Sequence, residues 1–240
     1  VTTKNTFDFF NDNASGVPVK ILDKSNNFTY KENVNAGYVN YQRQLNEKWS
    51  LQAGVRAEQT NSDGNLTRAD GTVQADNRVK KSYLNLFPSA AVTWVVDKKN
   101  SLNLTFSRRI DRPTYQDLNP FENKLDELTY EEGNAFLRPQ YTNSVELTHT
   151  FMGFINTTAG YSHVKDYATQ VTDTTGNATY IQQQNLATQQ IISFNIGAPL
   201  PIKKWWNGYA NIYYNYQMFD GAVGGKGVKL NISSYGAYMQ

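Results

Sequence analysis

The stretch Trp49-Ser50-Leu51-Gln52-Ala53-Gly54-Val55-Arg56-Ala57-Glu58 alternates apolar and polar residues without a break. Successive side chains of an extended chain point to opposite sides, so Trp49, Leu51, Ala53, Val55 and Ala57 share one face and Ser50, Gln52, Gly54, Arg56 and Glu58 the other. Working outward, the same period returns at residues 84–94, 102–106, 145–151, 192–200 and 210–216, and more weakly at 34–41, 155–163 and 228–238. The pattern predicts an all-β chain of about nine strands with no helix.

Composition narrows the classes of function. The chain has 240 residues, 23 Lys and Arg against 21 Asp and Glu, and no cysteine. A net charge of +2, scattered rather than clustered, argues against a nucleic-acid partner. Without thiols there is no disulfide scaffold, thiolate zinc site or cysteine nucleophile. No window of about 18 apolar residues is present, which excludes membrane-spanning helices but not a membrane β-barrel, whose strands alternate lipid-facing and lumen-facing residues. The opening Val1-Thr2-Thr3-Lys4 does not read as a signal peptide, and Met239-Gln240 reads as mid-strand. Residues 1–240 are therefore expected to be part of a single, longer barrel domain.

The connections come in two alternating sizes. Short turns fall near 45–48, 97–100, 151–153 and 199–204; between them lie polar excursions at 60–81, 110–140, 165–187 and 219–227. In an up-and-down meander this puts tight turns at one end and large loops at the other, the asymmetry of an outer-membrane barrel with short periplasmic turns and long extracellular loops. All four tryptophans, Trp49, Trp94, Trp205 and Trp206, sit beside short turns, as expected of an aromatic girdle at headgroup level. The polar faces carry mostly Ser, Thr, Asn, Gln and Gly rather than Lys and Glu, which suits a wet lumen. On this reading Leu51, Ala53, Val55, Leu102, Leu104, Ile192, Phe194 and Ile196 meet lipid, while Gln52, Arg56, Asn103, Asn195 and Asn211 face a hydrated interior.

Motifs for chemistry are sparse. His149 and His163 are the only histidines and lack metal-ligand spacing, so packing or interface roles are expected and no metal or cofactor. The pairs Asp126-Glu127 and Glu131-Glu132 lie in the longest polar excursion and read as solvated charges rather than glycosidase carboxylates. Asp63-Gly64 and Asp70-Gly71 read as turn dipeptides within one loop. Arg108, Arg109, Asp111 and Arg112 at the end of a strand, with Tyr115 just beyond, are the candidate lumen and loop residues, expected as an ion-pair cluster in the barrel mouth. No enzyme activity is expected. The alternative to a membrane barrel is a soluble or surface-displayed all-β ligand-binding module, carbohydrate-binding or adhesin-like, using loop tyrosines as stacking platforms.

The run Ser107-Arg108-Arg109-Ile110-Asp111-Arg112-Pro113-Thr114-Tyr115-Gln116-Asp117-Leu118-Asn119-Pro120-Phe121, with Glu132-Gly133-Asn134-Ala135-Phe136-Leu137-Arg138-Pro139-Gln140-Tyr141-Thr142-Asn143-Ser144, resembles the barrel region of TonB-dependent receptors, in the outer-membrane β-barrel family abundant in Bacteroidota. Asn35-Ala36-Gly37-Tyr38-Val39-Asn40-Tyr41 leading into the stretch from Trp49 is similar to a segment just upstream in that family. The resemblance implies a 22-stranded barrel with an N-terminal plug, embedded in outer-membrane lipid and driven through TonB to take up a scarce nutrient. It also implies a surface lipoprotein as a further partner. Neither a plug nor a terminal aromatic strand is recognisable in these residues, so the chain is expected to be a central or later slice of the receptor.

Overall fold

The computed structural model describes residues 1–72, 77–203, 206–223 and 226–240. Ten antiparallel strands form one sheet in the order β1 (Thr2–Asp12), β2 (Pro18–Gln44), β3 (Trp49–Arg68), β4 (Arg78–Val95), β5 (Asn100–Asp111), β8 (Gln140–Phe151), β9 (Ile155–Thr175), β10 (Ala178–Lys203), β11 (Trp206–Val223) and β12 (Lys226–Met239). Between β5 and β8 a strap departs from the meander. It contains the single helical turn α1 (Tyr115–Leu118) and a hairpin of β6 (Glu122–Lys124) and β7 (Thr129–Glu132).

All nine expected strands are present, and their register carries the two faces across the sheet. One row runs Leu51, Val92, Leu104, Leu147, Ala159, Phe194, Tyr214 and Tyr235 on neighbouring strands. The next level, on the opposite face, runs Gln52, Ala91, Thr105, Glu146, Gly160, Ser193, Asn215 and Ser234. The apolar row is bare: Leu104 is 48% exposed, and Val55, Leu147, Ile192 and Phe194 are exposed as well. Soluble sheets bury this face, whereas a contiguous apolar band of this extent marks contact with lipid. On β4 the band runs from Leu84 to Trp94, about 34 Å along the strand and about 24 Å in height at the usual tilt, which matches the apolar belt of an outer-membrane barrel. At its lower rim Trp49 and Trp94 face each other across β3 and β4, with ring centroids 5.3 Å apart and planes at 5°. His149 continues that level on the same face, its Nε2 2.9 Å from Asn100 Oδ1, an interface position. Trp205 and the side chain of Trp206 lie outside the described residues.

Several expectations are corrected. Three of the four polar excursions are mostly strand: β3 continues to Arg68 before β4 begins at Arg78, β9 and β10 meet at a hairpin tip around Gly176, and β11 extends to Val223 before β12 starts at Lys226. Beyond the lipid both faces are wet, so the ladder of backbone hydrogen bonds persists while the hydropathy signal that reveals it disappears. For the same reason β1 is an additional strand that the periodicity did not mark. The end asymmetry survives as strand projections and the strap on one side against tight turns on the other.

The strap exists because pairing between β4 and β5 stops at Ser89 and Ser107. Directly above stands Pro88, which has no N–H to donate and is tolerated only where a ladder ends or an edge is free. Released from β4, the chain after β5 turns onto the polar face. There Leu118, Phe121 and Leu137 bury themselves against Phe28 of β2, and all four side chains are under a tenth exposed. The only substantial apolar packing among the described residues therefore lies inside the upper wall.

Candidate functional site

Thr114 caps α1, accepting from the Asp117 backbone N–H while the Asp117 carboxylate accepts from Thr114 N at 2.8 Å, a reciprocal capping box. This fixes the direction in which the strap crosses the wall. Three anchors then hold it. Arg112 Nη2 donates to Glu58 Oε2 at 2.6 Å and to Thr60 Oγ1 at 3.0 Å, both on β3. Lys81 Nζ of β4 donates to the carbonyls of Ala135 (3.1 Å) and Leu137 (2.7 Å). Burial pulls the Lys81 ammonium below its ordinary pKa. At the far end, Asn185 of β10 grips the backbone of Arg138: Oδ1 accepts from Arg138 N at 2.7 Å and Nδ2 donates to Arg138 O at 3.0 Å. The Arg138 guanidinium pairs with Asp166 at 2.8 Å, and Asp166 is held at φ 57° in the irregularity where β9 and β10 shift register.

The hairpin completes the crossing. β7 pairs in parallel with Thr179–Gln182 of β10, on the length of that strand beyond its pairing with β11. Gly133 follows at once, and its N–H donates to Asn119 O at 2.9 Å. A Cβ there would stand 2.3 Å from Asn119 O and 2.7 Å from Gln116 O, both backbone atoms that cannot rotate away. Gly133→Ala is expected to cost about 1 to 3 kcal/mol through overpacking. In limited proteolysis the variant should be cut within residues 112–139 while β8 to β12 remain protected. Wild-type resistance at the strap would contradict this account.

Between strap and wall is a solvent-connected chamber of about 430 Å³. Asn5 and Phe7 of β1 line one side, Gln170 of β9 with Ile181, Gln182 and Gln183 of β10 the other, and Tyr115, Asp117, Asn119, Phe121, Glu122, Glu131 and Glu132 the strap side. β1 and β10 lie seven strand spacings apart in the sheet order, about 34 Å if flat. Their meeting at one chamber shows that the sheet curls with its polar face inside. The lining holds four carboxylates and no cation. Burial, aided by repulsion from Glu122, raises the Glu132 carboxyl pKa, and its Oε1 accepts from Gln182 Nε2 at 2.6 Å. A carboxyl with a raised folded pKa binds its proton more tightly when docked, so docking weakens as pH climbs from the unfolded pKa through the folded one. Glu132→Gln keeps the acceptor oxygen and removes the charge. It should flatten the pH dependence of strap protection factors in hydrogen exchange, and an unchanged profile would sink the idea.

The five candidate residues do not form one cluster. Arg108 shares the outer face with Phe106 by alternation, is exposed, and lies over the Tyr141 ring at 5.4 Å. Arg109 is exposed on the lumen side. Asp111 is exposed too and accepts from Gln140 Nε2 at 3.4 Å. Among the described ion pairs only Arg112 of this group takes part, with Glu58 rather than Asp111. Tyr115 stacks on Phe28 at 5.8 Å and lines the chamber. The expected ion-pair cluster in the mouth is therefore corrected: alternation along β5 sends Arg108 and Arg109 to opposite faces, and Arg112 leaves with the strap. Lys81, Asn185, Glu132 and the glutamines of β10 were not signalled. Glu131-Glu132 had read as solvated loop charge, yet Glu132 is half-buried on a strand.

A curled antiparallel wall, apolar outside and polar within, with an inward strap over a chamber, defines an outer-membrane β-barrel protein. The chain belongs to the outer membrane protein beta-barrel family, whose model matches residues 1–240, and its place is the bacterial outer membrane. Among solved structures it is similar to the copper transporter OprC, with TM-score 0.60 and 10% identity over 92% of this chain and 40% of that one. It is also similar to the siderophore receptor PirA from Pseudomonas aeruginosa, with TM-score 0.53 and 12% identity over 99% and 56%. The Serratia marcescens hemophore receptor HasR, solved with its hemophore HasA and heme, gives TM-score 0.52 and 12% identity over 91% and 46%. The chain thus spans about half the length of these structures. No curated protein sequence matches it.

Proposed function

We propose that the chain forms part of the barrel wall of a TonB-coupled receptor that captures a nutrient on its outer side and passes it inward. The observation that carries this reading is the strap, anchored to the lumen face of β3, β4 and β10 and closing over a chamber in the upper half of the wall. Pockets of a few hundred Å³ lined by aromatic and amide groups are ordinary ligand sites. The carboxylates disfavour an anion and accept from amine or hydroxyl donors. Arg112 and Tyr115 position the strap, while Arg109 and Asp111 stand on or beside the route into the lumen.

Support also comes from the lower lumen face. Small residues such as Gly54, Ala91, Gly160 and Ser193 alternate there with the polar Gln52, Glu146 and Asn215, which suits packing against a polar plug domain through which TonB would act. The similar structures are named for siderophore, copper and hemophore, so uptake of a scarce nutrient accords with their company; a surface lipoprotein would cover the extracellular strands. A soluble binding module is disfavoured by the bare apolar rows, and no catalytic step enters this reading.

Two measurements test it. The full-length protein in detergent should retain the purified C-terminal domain of TonB, and failure to retain it would overturn energy coupling. On intact cells trypsin should cut at the exposed Lys226 where β12 begins and spare Lys98 and Lys99 in the turn between β4 and β5. The reverse pattern would invert the orientation.

A further inference from the structure

Among the described residues, the outer face of β5, β8 and β9 carries a basic patch with no carboxylate paired to its two cations. On β5, β8 and β9 the apolar band ends with Phe106, Val145 and Tyr161, which lie at one level of the register. The next outward level is Arg108, Asn143 and His163, and the one above places Ile110, Tyr141 and Lys165 side by side. Arg108 and Lys165 are exposed, and neither joins an ion pair among the described residues. Arg108 is braced by the Tyr141 ring. The nearest carboxylates in sequence are otherwise engaged, Asp111 with Gln140 and Asp166 with Arg138. Elsewhere on the projecting strands Arg78 pairs with Asp63, Lys20 with Asp8 and Lys229 with Asp220, and the exposed Lys31 and Lys80 flank the Asp63 carboxylate in the ladder.

We propose that Arg108, Tyr141 and Lys165 form a binding site on the outside of the barrel for a phosphorylated lipid of the outer leaflet. β5 and β9 are alternate strands, about 10 Å apart, so the two cations can grip separate phosphates of one headgroup. Arginine offers a planar fork to a phosphate, lysine a point charge, and the tyrosine ring gives a flat floor between them. The acyl chains then run down the band over Phe106, Val145 and Tyr161, with no change of direction. The site faces away from the lumen, so it stands independently of nutrient capture and TonB coupling.

The test uses the full-length protein purified in detergent and titrated with diphosphorylated lipid A, with bound lipid counted by native mass spectrometry. Wild type should retain one tightly held lipid, and Arg108→Gln with Lys165→Gln should weaken retention at least tenfold. Lys80→Gln, on the outer face beyond the patch, should leave it unchanged. Each variant must first show the heat-modifiable mobility of a folded barrel, and single Lys165→Gln serves if the double variant misfolds. Equal retention by wild type and variant, equal retention of fully dephosphorylated lipid, or displacement by millimolar inorganic phosphate would each overturn the proposal, the last by revealing a free-phosphate site.

Discussion

Leu104→Arg should destabilise the barrel by about 2 to 4 kcal/mol, whereas Asn103→Arg should cost well under 1 kcal/mol. The two positions are adjacent on β5, so strand propensity and distance from the turn are nearly the same. What differs is the medium. Leu104 lies in the bare apolar row between Val92 and Leu147, with 48% of its surface open to the bilayer. Asn103 points to the lumen between Thr93 and Thr148, and its Oδ1 accepts from Thr93 Oγ1 at 3.2 Å. An arginine at 104 must strip its hydration or drag water into the hydrocarbon; at 103 it stays wet. Reversible urea unfolding of the full-length protein from lipid vesicles measures both. Equal costs, or the opposite order, would assign the faces wrongly, since a one-residue slip exchanges them all.

Arg112→Ala is the second large effect. Glu58 is 8% exposed and is held by Arg112 at 2.6 Å and by Arg56 at 2.9 Å, the latter guanidinium half in solvent. Removing the better-buried partner leaves a carboxylate that Arg56 compensates only in part, and the expected loss is about 2 kcal/mol, below the full value for stranding a buried charge. Arg112 Nε is buried without a partner, a penalty that truncation relieves. Adding Glu58→Gln should restore part of the loss, giving a coupling energy in a double-mutant cycle. Hydrogen exchange should rise within 112–139 first. A loss spread evenly over β3 to β12 would show that the pair supports the wall rather than the strap.

Much of the wall was legible because lipid on one side and water on the other impose a period of two on every membrane-level strand. Leu51, Leu104 and Phe194 are apolar for one shared reason, and Gln52, Asn103 and Asn195 polar for another. Where that contrast ends, so does legibility. Residues 165–187 form the tops of β9 and β10, but with both faces wet nothing in their hydropathy distinguishes ladder from loop. The site was harder still. Arg112 and Tyr115 could be singled out from their neighbourhood, but their partners Glu58 and Phe28 lie far back in the chain. Asn185 meets Arg138 only because a register shift in β9 and β10 places them together. Single-sequence periodicity reports local exposure, and these contacts depend on curl, bulges and the early stop in pairing at Pro88.

The parallel pairing of β7 with β10 also sets an order of events in time. Thr129–Glu132 emerge early, yet their partner Thr179–Gln182 exists only after β8 and β9 have been laid beside β5. Contacts so distant along the chain are slow to form because loop closure precedes any gain from them. Until β10 arrives, the strap has its Arg112 and Lys81 anchors but no far shore. Its hairpin then presents open edges and the ring of Tyr130, whose stacking partner Tyr180 is on β10, to whatever is near. A protein that escorts outer-membrane chains would protect a nascent strap, and slowed delivery of β9 and β10 would prolong the interval in which it is vulnerable.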